Sequence, residues 1–236
     1  MVRIKAMESP STSIAAIVRA ELLHQDGVIK FAPNRRFATL YSEGSPADSI
    51  LFLESGLVKI CKRGEDGKEI ILQIVAPGEL FGEQALGSEP TRAAAAEVLQ
   101  EGAIYVFHKD LFTRFCDRRP DMWRHVSQLL VQRKRELEKK IELLCMRDVE
   151  YRILHYMAEL AASFGSRLDG HEYALPLSQG ELASLIGATR ETTSTTLNLL
   201  ARRGLVRLGR RQLVLASLDG LRGAAHERSA KAAAKG

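Results

Sequence analysis

The spacing of apolar and polar positions divides the chain into stretches of different texture. Between Val28 and Phe107, short apolar or alternating runs are separated by turn-forming residues, which is the pattern of β-strands joined by hairpins. From Pro120 to about Met146 the apolar positions recur every three or four residues without glycine or a further proline, which predicts one long helix. Beyond Asp148, helical patterns precede two short apolar runs. We therefore expect an α+β protein.

The apolar runs of the N-terminal half are each short enough to be a single strand. They are Val28–Phe31, Arg36–Leu40, Ser49–Leu53, Leu57–Lys62, Glu69–Val75, Ala93–Val98 and Ala103–Phe107. Turn formers such as Ser55-Gly56 and Asp66-Gly67 separate them. Short strands at intervals of about 8–12 residues favour an antiparallel β-roll or jelly roll over an α/β sheet. A short helical stretch, Ile14–Leu23, precedes this region.

The long helix predicted from Pro120 to Met146 carries most of its apolar residues on one stripe. Its length of about 25 residues is roughly twice that of an average helix, and a narrow stripe flanked by both charge signs is typical of a two-helix seam. We expect a dimer helix, with a core helix or a solvated spacer as the alternative. Arg133 falls on the stripe and requires a carboxylate or solvent nearby. The stripe comprises Met122, Val126, Leu130, Leu137, Ile141 and Leu144, and the charged face includes Lys134, Arg135, Glu136, Glu138, Lys139, Lys140 and Glu142.

Composition places the chain among globular proteins, with 45% hydrophobic residues and no apolar run near the ~20 residues of a membrane helix. No basic segment followed by an apolar one stands at the N-terminus. Cys61, Cys116 and Cys145 are widely spaced and odd in number, so a disulfide framework or a paired-cysteine metal site is not expected. We expect ordinary thiols in a reducing cytoplasm.

The net charge of +5 is unevenly distributed. Lys and Arg outnumber Asp and Glu by 12 to 8 from Glu150 to Gly236, but only by 22 to 21 before Glu150. An excess of positive charge in the smaller C-terminal part suits a module that binds a polyanion, although a charged surface also serves solubility.

One stretch of the strand-rich region has a different pattern, with small residues on both sides of an arginine after a glycine-led turn. Arg92 and nearby backbone N–H groups can face an anion together, and Glu83 can accept hydrogen bonds from sugar hydroxyls. This chemistry fits a ribose phosphate. The alternative is that Arg92 is a surface residue and that the following alanines pack tightly in a core.

The C-terminal part contains the signals of two helices around a tight turn. Ser178 and Glu181 stand three apart before an apolar run, which is a capping box, and Gly187 supplies the turn. Thr189 can cap a second helix from Arg190 to Arg203, and this arrangement predicts a helix-turn-helix. An arginine and a glutamate at the start of the second helix can read guanine and cytosine in the major groove.

Two short apolar runs, Leu205–Leu208 and Gln212–Leu215, flank Gly209-Arg210-Arg211. A hairpin with a basic tip suits a wing that lies against the phosphate backbone. A plain helical bundle is the alternative. The candidate DNA-binding residues in these elements are Ser178, Gln179, Thr189, Arg190, Glu191, Thr192, Arg210 and Arg211.

Phe81–Leu86 and Arg92–Ala94 together resemble the phosphate-binding cassette of cyclic-nucleotide-binding domains. The cassette pattern is Phe-Gly-Glu-x-Ala-Leu, followed by Arg-Ala-Ala nine residues after the glutamate, and the chain matches it in residue type and spacing. The resemblance implies that Arg92 and the Ala93 amide bind the cyclic phosphate, while Glu83 and the Gly82 backbone bind the ribose 2′-hydroxyl. The candidate ligand-binding residues are Phe81, Gly82, Glu83, Gln84, Ala85, Arg92, Ala93, Arg133, Leu137 and Glu138.

From about Val28 to Leu218 the chain resembles the Crp/Fnr family of bacterial transcription regulators. The resemblance implies a β-roll effector domain with an N-terminal helix (1–119), a long dimerisation helix and hinge (120–147) and a winged helix-turn-helix (148–222), before a tail expected to be disordered (223–236). It also implies double-stranded DNA with a palindromic site, a second copy of the chain and RNA polymerase as partners, and no membrane.

Two departures from the cAMP-responsive pattern leave the half-site and the effector open. Thr195 stands where a third base-reading arginine is usual, whereas Ser194 matches a base-reading position of the oxygen-sensing branch. Leu137-Glu138 replaces a Thr-Ser pair that contacts adenine. The candidate effectors are cAMP, cGMP or a cyclic dinucleotide, with no cofactor; the alternatives are a vestigial pocket, another small molecule or a redox signal.

An enzyme is not expected, because the chain shows no paired carboxylates, nucleophile elbow, metal motif or P-loop. The six histidines form no recognised ligand spacing, so no metal site is expected either.

Overall fold

The computed structural model describes residues 14–33, 35–168, 171–209 and 212–233. Its contacts divide the chain into two compact units. The first comprises the described residues up to Ile60 together with Ile74–Arg135, and the second comprises Cys61–Gln73 and the residues from Glu136 onwards. Within these described ranges, none of the helices combines the length and the apolar character needed to cross a membrane.

The N-terminal part contains two antiparallel four-stranded sheets, in agreement with the expected β-roll. One sheet has the order β1-β8-β3-β6 and the other the order β2-β7-β4-β5. The strands are β1 (Ile29–Phe31), β2 (Thr39–Tyr41), β3 (Ser49–Leu53), β4 (Leu57–Arg63), β5 (Glu69–Val75), β6 (Leu80–Phe81), β7 (Ala95–Gln100) and β8 (Ile104–His108). The expected runs differ from these strands by no more than three residues at either end, and β6 was not anticipated.

Apolar side chains from both sheets form one core of the first unit, with Leu51 and Phe81 from one sheet and Val58 and Val75 from the other. A second cluster joins the first sheet to helices α1 (Ile14–Ala20) and α2 (Lys109–Arg118). A single 3₁₀ turn, Leu22–His24, follows α1. Helix α2 was not predicted from the sequence. Its buried residues, Phe112, Phe115 and Cys116, lie on one face, which is why this charged segment folds against the sheet.

Helix α3 spans Pro120–Met146, in agreement with the predicted long helix. Met122 and Val126, in its first two turns, are buried in the core of the first unit. The later stripe residues Leu130, Leu137 and Ile141 are 47%, 47% and 61% exposed on the single chain. The apolar stripe is therefore uncovered over the length where a partner helix was expected.

The second unit contains a helical core and a small antiparallel sheet of order β11-β12-β10-β9. Its elements are α4 (Val149–Phe164), β9 (Ser166–Arg167), β10 (Tyr173–Leu175), α5 (Gln179–Ile186), α6 (Arg190–Arg202), β11 (Val206–Gly209), β12 (Gln212–Leu215) and α7 (Leu218–Ala233). Asp148 caps α4, because its side chain accepts a hydrogen bond from the Tyr151 amide at 2.9 Å. Strands β9 and β10, which were not predicted, pair with each other, and β10 also pairs with β12.

The expectation of a disordered tail from residue 223 is wrong for residues 223–233, which belong to α7. Leu221 and Ala224 are buried, and Arg228 pairs with Asp148 at 2.7 Å. Arg147 also donates a hydrogen bond to the Ser229 hydroxyl at 2.9 Å. Alanine and charged residues, which suggested disorder, are good helix formers once such contacts are available.

Candidate functional site

The cassette begins with a left-handed residue at Gly82, directly after β6. Gly82 has φ +75°, and a Cβ atom there would lie 3.0 Å from Arg92 Nη1 and 3.1 Å from Leu51 Cδ1. Conformation and space both favour glycine, and the backbone then enters the 3₁₀ turn Glu83–Leu86.

Arg92 is a buried residue, only 2% exposed, and not a surface arginine. Its Nη1 donates to the Gly82 carbonyl at 2.9 Å, its Nη2 donates to the Ser49 carbonyl, and its guanidinium lies 4.3 Å from the centre of the Tyr41 ring. Burial lowers the pKa of Arg92 from its ordinary value, and Asp48 partly opposes this effect. The Nε atom is buried and has no hydrogen-bond partner among the described residues. Arg92 therefore places a positive charge and one unused donor inside the cassette.

The backbone amide of Ala93 donates to the side-chain oxygen of Gln84 at 2.9 Å. This amide is the group that the family resemblance assigns to the cyclic phosphate. Gln84 lies on the 3₁₀ turn, half-buried, and Ala85 beside it is buried. The structure therefore brings Gly82, Gln84 and Ala93 together around Arg92, with the Ala93 donor already in use.

Glu83 lies next to Arg133 of α3, with Oε1 3.8 Å from the Arg133 Nε. Arg133 Nη2 also donates to the Leu80 carbonyl at 3.1 Å and lies 3.5 Å from Glu79 Oε2. The expectation that Arg133 requires a carboxylate nearby is confirmed. In this structure, Glu83 is engaged by a cation from the long helix.

Leu137 and Glu138, the other candidate ligand residues on α3, belong to the second compact unit. Leu137 is exposed and Glu138 lies on the solvent side of the helix. Their role toward a ligand remains a prediction.

The helix-turn-helix has the caps that the sequence predicted. The Ser178 hydroxyl accepts from the Glu181 amide at 3.2 Å, and Glu181 Oε2 accepts from the Ser178 amide at 2.6 Å. Gly187 then ends α5 in the left-handed region, and the Thr189 hydroxyl caps α6 by accepting from the Thr192 amide.

Two cations hold the C-terminal end of α5. Arg152 of α4 donates to the Ile186 carbonyl at 2.7 Å, and Lys140 of α3 donates to the Leu185 carbonyl at 2.8 Å. Lys140 also donates to the Ile71 carbonyl of β5 within the same unit. The helical period predicts Lys140 on the charged face of α3, but the residue is buried and only 6% exposed. Lys139 and Lys140 are neighbours in a run of charged residues, and nothing in the sequence distinguishes the buried lysine from the exposed one.

The turn between α5 and α6 provides a test of this packing. Gly187 has φ +63°, and a Cβ there would lie 2.7 Å from Leu144 Cδ2, whereas Gly204 has φ +71° with open space around it. We expect Gly204→Ala to lower the free energy of unfolding by about 1 kcal/mol through backbone conformation alone. Gly187→Ala adds a steric clash and is expected to cost about 2–3 kcal/mol. Urea unfolding of both variants measures the difference, and equal losses would contradict the packing.

The N-terminus of α6 presents its polar residues to solvent. Arg190, Glu191 and Thr192 are exposed, as is Thr195 one turn later, and Ser194 is half-exposed. A hydrogen bond from its own backbone amide, and one from Thr189, hold the pKa of Glu191 below its usual range, so the carboxylate is charged at neutral pH.

An open cleft of about 520 Å³ lies beside Arg190. Its lining residues are Ser178, Gln179, Gly180, Arg190, Ser194 and Gly209. Arg190 lies over the first turn of α5, where a Cβ on Gly180 would come within 3.3 Å of Arg190 Nε. Four residues predicted to contact DNA, Ser178, Gln179, Arg190 and Ser194, therefore line one cleft, together with Gly209 at the turn end of β11.

The hairpin expected as a wing is present, with β11 and β12 paired from Val206 with Leu215 to Gly209 with Gln212. Arg210 and Arg211, the basic tip on which the wing interpretation depends, lie outside the described residues.

Comparison with known proteins agrees with this architecture. Residues 33–119 match the model of the cyclic nucleotide-binding domain, and residues 151–224 match the model of the Crp-like helix-turn-helix domain. A CRP-like cAMP-activated global transcriptional regulator from Mycobacterium tuberculosis is 30% identical over 184 residues, covering 78% of this chain and 82% of that protein. The transcriptional regulator LdrP from Thermus thermophilus is 31% identical over 190 residues, covering 79% of this chain and 94% of that protein.

A solved structure of a CRP-family transcriptional regulator from Thermus thermophilus superimposes with a TM-score of 0.72 at 28% identity, covering 84% of this chain and 96% of the other. These relatives are transcription regulators and not enzymes, as expected. The fold, the two domain models and the relatives together show that the chain belongs to the Crp/Fnr family of transcription regulators.

Proposed function

We propose that this chain acts as a homodimer that binds a palindromic DNA site under the control of a cyclic nucleotide held in the cassette. The observation that carries the effector half of the proposal is the buried Arg92, in a loop that has the cassette sequence and with an Nε that has no hydrogen-bond partner in the described part of the chain. A buried cation with an unused donor is suited to an anionic ligand. The cAMP-activated relative supports a cyclic nucleotide as the first effector to test.

The dimer half of the proposal rests on the exposed stripe of α3. Leu130, Leu137 and Ile141 are apolar, spaced by seven and four, and about half exposed or more. A second copy of α3 would cover them in a two-helix seam. Two recognition helices would then lie ~34 Å apart, one turn of DNA, and read the two halves of a palindrome.

In the DNA complex, the N-terminus of α6 would enter the major groove. Arg190 can donate to both O6 and N7 of a guanine, and the ionised Glu191 can accept from a cytosine amine. Ser178, Gln179 and Thr192, at the starts of the two helices, would contact phosphates. Thr195 is too short to replace an arginine, so the half-site is expected to differ at that base pair.

A second candidate, a regulator whose cassette does not respond to a mononucleotide, is favoured by one contact. The Ala93 amide, the expected phosphate donor, is satisfied by Gln84 within the chain. A redox signal has less support at Cys116, because burial raises the pKa of its thiol to about 12 and keeps it protonated.

The DNA-binding half is tested by Arg190→Ala, with Arg202→Ala as a control that removes the same charge from the other end of α6. A preferred site is first selected from random duplexes, and its affinity is then measured by fluorescence anisotropy at fixed salt. We expect Arg190→Ala to weaken binding by about 1–3 kcal/mol, roughly tenfold or more, and to relax the preference at one guanine. Equal effects of the two variants would contradict base reading by Arg190.

A further inference from the structure

The Gln84 side chain occupies a hydrogen-bond donor of the cassette, and the inference drawn from this contact rests on the proposed function. The Gln84 side-chain oxygen accepts the Ala93 amide proton at 2.9 Å, across the loop that separates the 3₁₀ turn from β7. Ala93 itself is exposed, so an incoming ligand can reach this amide. This oxygen is a neutral amide oxygen of the chain, and it accepts from the amide that the family resemblance assigns to an anionic phosphate oxygen.

The other donors of the cassette are also partly satisfied by the chain. Arg92 Nη1 and Nη2 donate to the carbonyls of Gly82 and Ser49, and Gly82 also accepts from the Ala85 amide at 3.1 Å. Arg92 Nε remains buried and unpaired among the described residues. Contacts within the chain therefore hold the loop, and the Ala93 donor is covered by a side chain that can rotate away.

We propose that Gln84 is an internal ligand of the phosphate site, which an effector phosphate must displace from the Ala93 amide before it binds. Displacement costs the effector one existing hydrogen bond, and the phosphate regains it with a stronger, charge-assisted one. Gln84 thereby raises the effector concentration needed to fill the cassette. It also disfavours ligands with weakly basic oxygens, because their hydrogen bond to the Ala93 amide is no stronger than the one that Gln84 already makes.

The variants follow from the chemistry of this single oxygen. Gln84→Met keeps the length of the side chain and removes the acceptor, so the Ala93 amide is left free. Gln84→Glu replaces the neutral oxygen by a carboxylate that holds the amide more strongly and repels a phosphate. Gln100→Met, at the exposed end of β7, is the matched control.

Two readouts are measured on the full-length protein. The first is hydrogen exchange of the Ala93 amide by NMR without any ligand, which we expect to be faster in Gln84→Met than in the wild type or in Gln100→Met. The second is calorimetric titration with cAMP, cGMP and c-di-GMP. We expect Gln84→Met to bind the preferred nucleotide about fivefold more tightly than wild type, and Gln84→Glu to bind it at least about tenfold more weakly.

The outcomes separate this proposal from the function it rests on. If the wild type and Gln84→Met bind a nucleotide equally, effector binding stands and the role of Gln84 is overturned. If only Gln84→Met binds, Gln84 is the internal ligand and the native cassette is closed to these effectors. If neither protein binds any of the three, both proposals fail. Unchanged exchange of the Ala93 amide in Gln84→Met would overturn the competition directly.

Discussion

Arg92→Ala is expected to lower the free energy of unfolding by about 3–5 kcal/mol, because it removes a buried hydrogen-bonding group as well as a ligand contact. Arg92 is 2% exposed and donates to the carbonyls of Gly82 and Ser49. Alanine leaves the carbonyls of Gly82 and Ser49 without the hydrogen bonds that Arg92 donates, and it opens a cavity beside the Tyr41 ring.

Urea unfolding followed by circular dichroism measures this loss. Arg35→Ala, at an exposed position of the same unit, is the matched control and is expected to change stability by less than about 0.5 kcal/mol. Equal losses in the two variants would show that Arg92 does not organise the cassette.

The expected loss of stability in Arg92→Ala complicates the interpretation of its nucleotide binding. If Arg92→Ala unfolds part of the cassette, its failure to bind a nucleotide does not identify a phosphate contact. Gln84→Met is the cleaner variant, because the side chain it changes is only half-buried and makes one hydrogen bond that the Ala93 amide can replace with water.

The wild type is expected to gain about 3 kcal/mol of stability relative to Lys140→Met between about pH 8 and pH 10.5. Lys140 is 6% exposed, and burial lowers its pKa from 10.5 to about 8. In that pH range the unfolded chain still binds the proton, whereas the folded chain has released it, so stability rises with pH. Below about pH 8 the cost of the buried charge is fully present, and above about pH 10.5 it has disappeared.

The difference in stability between the wild type and Lys140→Met at each pH cancels the contribution of groups that titrate in both proteins. Tyr156, whose ring centre lies 5.6 Å from the Lys140 ammonium, has its pKa raised to about 12 by burial, and it is present in both proteins. Lys139→Met is the control, because Lys139 is exposed and pairs with Glu142 on the surface. Urea unfolding at steps across this range gives the differences. A pH-independent difference between wild type and Lys140→Met would contradict the buried, charged state.

Local signals explain why much of the architecture could be predicted. The Ser178 and Glu181 capping box, the left-handed Gly187 and the Thr189 cap each depend on residues a few positions apart, so they are visible in the sequence. The bounds of α3 follow from the proline at its start and an uninterrupted helical period. Most of the short strands separated by turn residues were also recognisable, but β6, β9 and β10 were not, because runs of two or three residues are too short to show a period.

The contacts that define the sites depend on residues far apart in the chain, and the sequence does not show them. Lys140 binds carbonyls 69 and 45 residues away, and its neighbours in the sequence are ordinary surface charges. Gln84 occupies a position where the cassette pattern accepts any residue, so nothing in the sequence indicates its contact with Ala93. The composition of residues 223–236 is compatible with disorder and predicts a tail, whereas contacts of Arg228 and Ser229 with Asp148 and Arg147 hold residues 223–233 in α7.

The most direct test of the central claim is the affinity of the purified wild-type protein for its selected DNA site, measured with and without saturating cAMP, cGMP or c-di-GMP at fixed salt. If the cassette controls the recognition helices, one nucleotide changes DNA affinity by about tenfold or more, and Gln84→Met shifts that response to a lower nucleotide concentration. If DNA affinity is the same with every nucleotide, although the protein binds one of them, the cassette and the helix-turn-helix are uncoupled and the account is contradicted.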